Sequence, residues 1–141
     1  MTDLYQKGVL RHAAAARRSG RLNDAHGSAT LDNPLCGDRV TIDVKVKDGT
    51  VRDISQDVKA CVLCQACASI LCENAIGADR ETLEDVRAQV TAMLKGGGAA
   101  PQDGWDALKV FAPVADHKSR HACVLLPFEA AEQALDDASQ D

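Results

Sequence analysis

Hydrophobic positions change their period several times along this chain, and each change marks an element. Over residues 3–18, Leu4, Val9, Leu10 and Ala13–Ala16 recur among polar residues as on one face of a helix, and Gly20 stands where that helix would stop. Residues 21–32 are polar and hold no sustained period, which fits a loop or an edge strand. The period then drops to two. In VTIDVKV, Val40, Ile42, Val44 and Val46 alternate with Thr41, Asp43 and Lys45, the pattern of a half-buried strand. Asp48-Gly49 follows as a hairpin turn, because both central residues of such a turn need positive φ. A return strand over 50–58 completes the hairpin.

Helical spacing takes over afterwards. Residues 61–75 lack Gly and Pro and are rich in apolar and small side chains, as in a mostly buried helix. Leu83, Val86, Val90 and Met93 stripe an amphipathic helix over 80–95, ended by Gly96-Gly97-Gly98. GGGAAPQDG is a connector too short to announce a second domain. A short helix is expected over 104–110. A last helix begins near Cys123–Pro127, with Pro tolerated in its first turn and Phe128, Ala131, Ala134 and Leu135 facing the core. The plan is α+β: a small antiparallel three-stranded sheet packed against several helices, most of them after the sheet.

Composition narrows what such a fold could do. The 141 residues make one domain, 1–141, able to bury a core without disulfides. Aromatic residues are scarce, and the net charge is −5; both disfavour nucleic acid as a partner, and the charge disfavours an anionic membrane. No apolar run is long enough for a signal peptide core or a membrane helix, so a cytoplasmic location is expected. In that reducing setting the six cysteines are expected as thiols or metal ligands rather than disulfides.

Spacing sorts those cysteines. Cys36 lies in DNPLCGD, where Asn33-Pro34 starts a turn and Gly37 permits a tight backbone. A thiolate at 36 and a carboxylate at Asp38 can point at one cation, although the same tripeptide also reads as a polar turn. Cys61 and Cys123 each fall at the start of a helix, a position that favours a thiolate. Four cysteines crowd ACVLCQACASILC, yet on a helix Cys72 lies roughly 16 Å from Cys61 and Cys67 about 9 Å along and turned aside. That excludes a looped C-x₂-C-x₂-C cluster motif. Cys67 and Cys72 read as helix packing. Cys64, one turn from Cys61, reads equally as packing or as an accessory thiol. His12, His26, His117 and His121 read as surface residues.

DNPLCGDRVTIDVKV, then ACVLCQACASILCENAIG, then SRHACVLLPFEA, in that order, resembles the IscU/NifU-like iron–sulfur assembly proteins, and most closely the SufU type. LYQKGVLRH and the Arg17, Gly20 and Leu22 positions resemble the family's opening. The long interval between Cys61 and Cys123, Ala122 in place of a His directly before the last cysteine, and Arg120 at the SufU-type arginine position all favour that subtype. The chain departs from the family pattern at Ala16, Ala60, Cys64, Cys67, Lys118 and Phe128.

The resemblance implies the SufE/NifU/IscU-like fold and a metal site of Cys36, Asp38, Cys61 and Cys123. It implies Zn²⁺ as the ion, with a [2Fe–2S] cluster or iron as the alternative. It implies a SufS-type PLP-dependent cysteine desulfurase as partner, with downstream iron–sulfur scaffold or apo-acceptor proteins beyond it. Sulfur is then received as a persulfide on Cys36, with Cys123 as the rival acceptor. Arg120 would offset the negative charge of the site, or would be a surface arginine. A cluster-building scaffold and a structural zinc protein are the competing expectations.

Overall fold

The alternating segment becomes the middle strand of the molecule. In the computed structural model, which describes residues 7–34 and 37–139, the helix α1 (Lys7–Ala15) leads into strands β1 (Gly27–Asn33), β2 (Asp38–Lys47) and β3 (Thr50–Lys59). The strands form an antiparallel sheet in the order β1-β2-β3. Helices α2 (Val62–Asn74), α3 (Arg80–Leu94) and α4 (His121–Ala138) follow, with 3₁₀ segments at Asp106–Asp116 and Lys118–Arg120. The expected α+β plan is therefore the observed one.

Being central changes β2. Its alternation predicts one wet face, yet Thr41 and Asp43 are buried along with Val40, Ile42 and Val44. The reason is a clasp on the polar face. Asp43, 1% exposed, accepts from Arg21 Nε at 2.7 Å and Nη2 at 3.1 Å, from Leu22 N at 3.1 Å and from Ser28 Oγ at 2.6 Å. Burial pushes the Asp43 carboxyl up, but the Arg21 and Ser28 hydrogen bonds outweigh it and leave the group below its ordinary value. The segment at 21–26 is thus a loop folded over the sheet, and β1 is the expected edge strand.

The turn at Asp48 (φ 54°) and Gly49 (φ 79°) has the two positive φ values its sequence predicts. The first helix ends earlier than Gly20. Ala16 and Arg18 themselves adopt positive φ, and the chain turns there to lie along β3, with Gly20 N donating to Gln56 O at 2.8 Å and Gln56 N to Arg18 O at 3.0 Å. Tertiary pairing with the sheet overrides the helical propensity of the alanines.

Helices α2 and α4 pack on the sheet and on each other, with α1 against α2 and α3 against α4. The α2 helix is buried almost all round, including Leu63, Ala66, Ile70 and Leu71, as its composition predicts. Two boundaries differ from expectation. The segment after the glycines is an eleven-residue 3₁₀ run rather than a short helix over 104–110, and α4 starts at His121, so Pro127 sits inside it. Phe128, Ala131, Ala134 and Leu135 face the core as expected. Among the described residues, no helix is long and apolar enough to cross a membrane.

Candidate metal site

Three separate pieces of chain meet at one end of the sheet. Asp38 is the first residue of β2, not part of the loop before it. Arg39 pairs with Lys59 at the end of β3, so Asp38 lies opposite the chain that leaves β3 toward α2. Cys61 occupies the cap position of α2 (φ −66°, ψ 165°). Cys123 falls in the first turn of α4, which packs against both β2 and α2. The donor atoms of Asp38, Cys61 and Cys123 all lie within 4.8 Å of one another, and this is the only such group of metal-ligating side chains among the described residues.

The contacts within the group are direct. The Cys61 backbone N–H donates to Asp38 Oδ1 at 3.0 Å, and its thiol donates to Oδ2 at 3.5 Å. Asp38 is 2% exposed, Cys123 is 0% exposed and Cys61 is half-buried. Gln65 Nε2 donates to Ala60 O at 2.7 Å and fixes the strand-to-helix turn that aims Cys61. The sequence carries no readable signal for Gln65, since its role depends on where β3 ends.

The helix-start argument for a thiolate at Cys61 does not hold without a metal. Burial pushes the Cys61 thiol up. The Cys64 N–H and the Cys123 thiol favour the anion, and the Asp38 carboxylate opposes it; burial and Asp38 prevail. Cys61 closes no cap hydrogen bond of its own.

A metal fits these donors. A tetrahedral site with metal–sulfur bonds of about 2.3 Å has edges of roughly 3.8 Å. The donor separations, all within 4.8 Å, are of that order. Two thiols and a carboxylate suit zinc, and the same soft donors suit iron.

Cys36, the remaining expected ligand, lies outside the described residues. Among the described residues beside it, Gly37 N donates to Asn33 O at 2.8 Å, and Gly37 has a positive φ (71°). Arg120 is half-buried and immediately precedes α4. Cys64, Cys67 and Cys72 are free thiols buried in α2. Desolvation pushes all three up, Cys72 to about 12.

His26 is exposed, as expected of a surface residue, and His12, His117 and His121 are half-buried; three of the four make side-chain hydrogen bonds. His121 Nε2 lies 3.1 Å from Val114 O and 3.2 Å from Ala115 O, which ties the end of the 3₁₀ run to the start of α4. His26 Nδ1 accepts from Val46 N at 2.9 Å, and His12 Nδ1 meets Arg17 Nη1 at 3.4 Å. None of the four joins the metal-ligating group.

Two thiols and a carboxylate from three elements thus meet at one end of the sheet, a group that could hold a metal ion. The chain belongs to the family described as NifU-like N terminal domain, whose model matches residues 4–135. It is similar to the crystal structure of a nitrogen-fixing NifU-like protein (N-terminal) from Brucella abortus, with 38% identity and a TM-score of 0.93 over 99% of this chain and 96% of that one. It is 27% identical to the iron-sulfur cluster assembly scaffold protein IscU of Thermotoga maritima, over 97% of this chain and 96% of the relative. It is 25% identical to the zinc-dependent sulfurtransferase SufU of Bacillus subtilis, over 96% of this chain and 91% of the relative.

Proposed function

We propose that residues 1–141 form a single iron–sulfur assembly domain that works in the cytoplasm as a zinc-dependent sulfurtransferase, taking persulfide sulfur from a SufS-type PLP-dependent cysteine desulfurase. The observation that carries this reading is the convergence of Asp38, Cys61 and Cys123. The expected ligands are Cys36, Asp38, Cys61 and Cys123. Zinc held there keeps the cysteines as thiolates at neutral pH, which is the form that attacks sulfur.

The transfer itself is thiolate exchange. A thiolate of this chain attacks the outer sulfur of the desulfurase persulfide, the sulfur–sulfur bond of the partner breaks, and the desulfurase cysteine leaves as thiolate. Cys36 is the first acceptor in this reading, and the full burial of Cys123 supports that choice over its rival. Arg120, at the start of α4, offsets the charge of the cluster. Downstream scaffolds or apo-acceptor proteins then receive the sulfur.

The test is alanine formation from cysteine by a SufS-type desulfurase, with and without the zinc-loaded chain. A rise in turnover that is lost in Cys36→Ser supports the reading; an unchanged turnover overturns it. The second reading is a scaffold that builds and transfers a [2Fe–2S] cluster, favoured by an IscU relative as similar as the SufU one. His121, held against the Val114 and Ala115 carbonyls, weighs against it as a source of an imidazole ligand. Anaerobic reconstitution with iron and sulfide discriminates: a stable visible chromophore favours the scaffold.

A further inference from the structure

The pair Cys61 and Cys64 is left over by the function above, which uses only the first of them. The two form a C-x-x-C unit, and the structure places it at the mouth of a helix. Cys61 sits at the cap, in extended rather than helical backbone, half-buried. Cys64 lies one turn in and is fully buried. Residues three apart across the first turn are neighbours, and the Cys64 backbone N–H reaches the Cys61 sulfur. This is the arrangement in which a C-x-x-C pair cycles between dithiol and disulfide.

We propose that Cys64 is a resolving thiol that reduces sulfane sulfur carried on Cys61, so that the chain releases sulfide with two electrons from its own cysteines. The inference rests on the reading that this site receives persulfide sulfur. Sulfane sulfur reaches the half-buried Cys61 by exchange from a persulfide donor. Cys61 attacks the outer sulfur, that sulfur bonds to Cys61, and the donor thiol leaves with the Cys61 proton. Cys64 then attacks Cys61 Sγ. The Cys61–Cys64 bond forms, the bond from Cys61 Sγ to the outer sulfur breaks, and hydrogen sulfide departs. The outer sulfur gains two electrons, and the two cysteines lose them. Burial holds the proton on Cys64 until the reaction, and that proton leaves with the sulfide.

Direction matters in this step. Displacement at sulfur is in line, with the entering thiol opposite the leaving group. Cys64 approaches from the core, so the sulfide leaves from the exposed side of Cys61, where an acceptor or iron can meet it. Formation of the disulfide also withdraws Cys61 from any metal, and an external dithiol resets the pair. Cys67 and Cys72 lie farther along α2 and take no part.

The experiment uses the full chain, zinc-free, under argon, with glutathione persulfide as the sulfane donor and no reductant. The donor bypasses the desulfurase, so a negative desulfurase assay and a negative result here are separate failures. Sulfide release is measured after the donor is removed, and cysteine linkages are mapped by mass spectrometry. The expected result is about one sulfide per chain and a Cys61–Cys64 disulfide. Cys64→Ser is expected to release at least roughly tenfold less sulfide and to retain the added sulfur on Cys61, while Cys72→Ala behaves as wild type. A wild-type chain that keeps its persulfide with no 61–64 linkage overturns the proposal. So does a folded Cys64→Ser protein that releases sulfide as fast as wild type. The wild-type linkage map decides the matter even if the serine variant fails to fold.

Discussion

The Cys61 amide and the Cys61 thiol both donate to one carboxylate, that of Asp38, at 3.0 Å and 3.5 Å. A residue read from the sequence as a ligand is thus also the anchor that sets the cap of α2 and the direction of the thiol. The two roles separate on mutation. Asp38→Asn keeps an oxygen for the Cys61 N–H but loses the charge. Zinc affinity is expected to fall by more than the ~10–100-fold typical of losing an outer partner, with the fold intact. Competition with a chromogenic chelator measures this, and an unchanged affinity removes Asp38 from the ligand set.

His121 provides the opposite test. Its ring joins α4 to the carbonyls of Val114 and Ala115. His121→Ala is expected to lower stability by about 0.5–1.5 kcal/mol, the usual net worth of such bonds, and to leave zinc stoichiometry unchanged. Chemical denaturation and metal analysis of one preparation give both numbers. Loss of zinc from a folded variant would make His121 a ligand.

The buried thiols of α2 predict alkaline weakness in the metal-free chain. Burial pushes the Cys72 thiol up to about 12 from an ordinary 9.0, and it pushes Cys64 and Cys67 up as well. A group with a raised folded value binds its proton more tightly when folded. Stability is therefore flat below the ordinary value and falls as pH rises from 9.0 toward about 12. Each such thiol adds a slope of up to ~1.4 kcal/mol per pH unit. Urea midpoints between neutral pH and the alkaline range check the slope, which should be shallower in Cys72→Ala.

Gly27 is where β1 meets α4. A Cβ there would collide with the Ala134 carbonyl oxygen and stand 2.6 Å from the Ala138 nitrogen, both backbone atoms that cannot rotate away. Gly27→Ala is expected to cost about 1–3 kcal/mol or more, as overpacking does. Because α4 also carries Cys123, zinc retention should fall with stability. A variant with wild-type melting and metal content would contradict this packing.

Local pattern determined much of this protein. Period-two alternation placed β2, Asp48-Gly49 placed the hairpin turn, and the stripe of Leu83, Val86, Val90 and Met93 placed α3, because each depends on neighbours in sequence. The family resemblance carried by the NPLCGD segment and the two later cysteine contexts implied one site of Cys36, Asp38, Cys61 and Cys123, of which Asp38, Cys61 and Cys123 lie together in the structure. Tertiary structure decided what depends on residues far apart. Burial of Asp43 follows from Arg21 and Ser28 folding over the sheet. The end of α1 at Ala15 follows from pairing along β3. The start of α4 at His121 lies beside a histidine contact that bridges to the 3₁₀ run. The state of the Cys61 thiol follows the same rule. Its place at a helix start is local and favours the anion, but burial and the Asp38 carboxylate are set by the packing of three elements, and the packing wins.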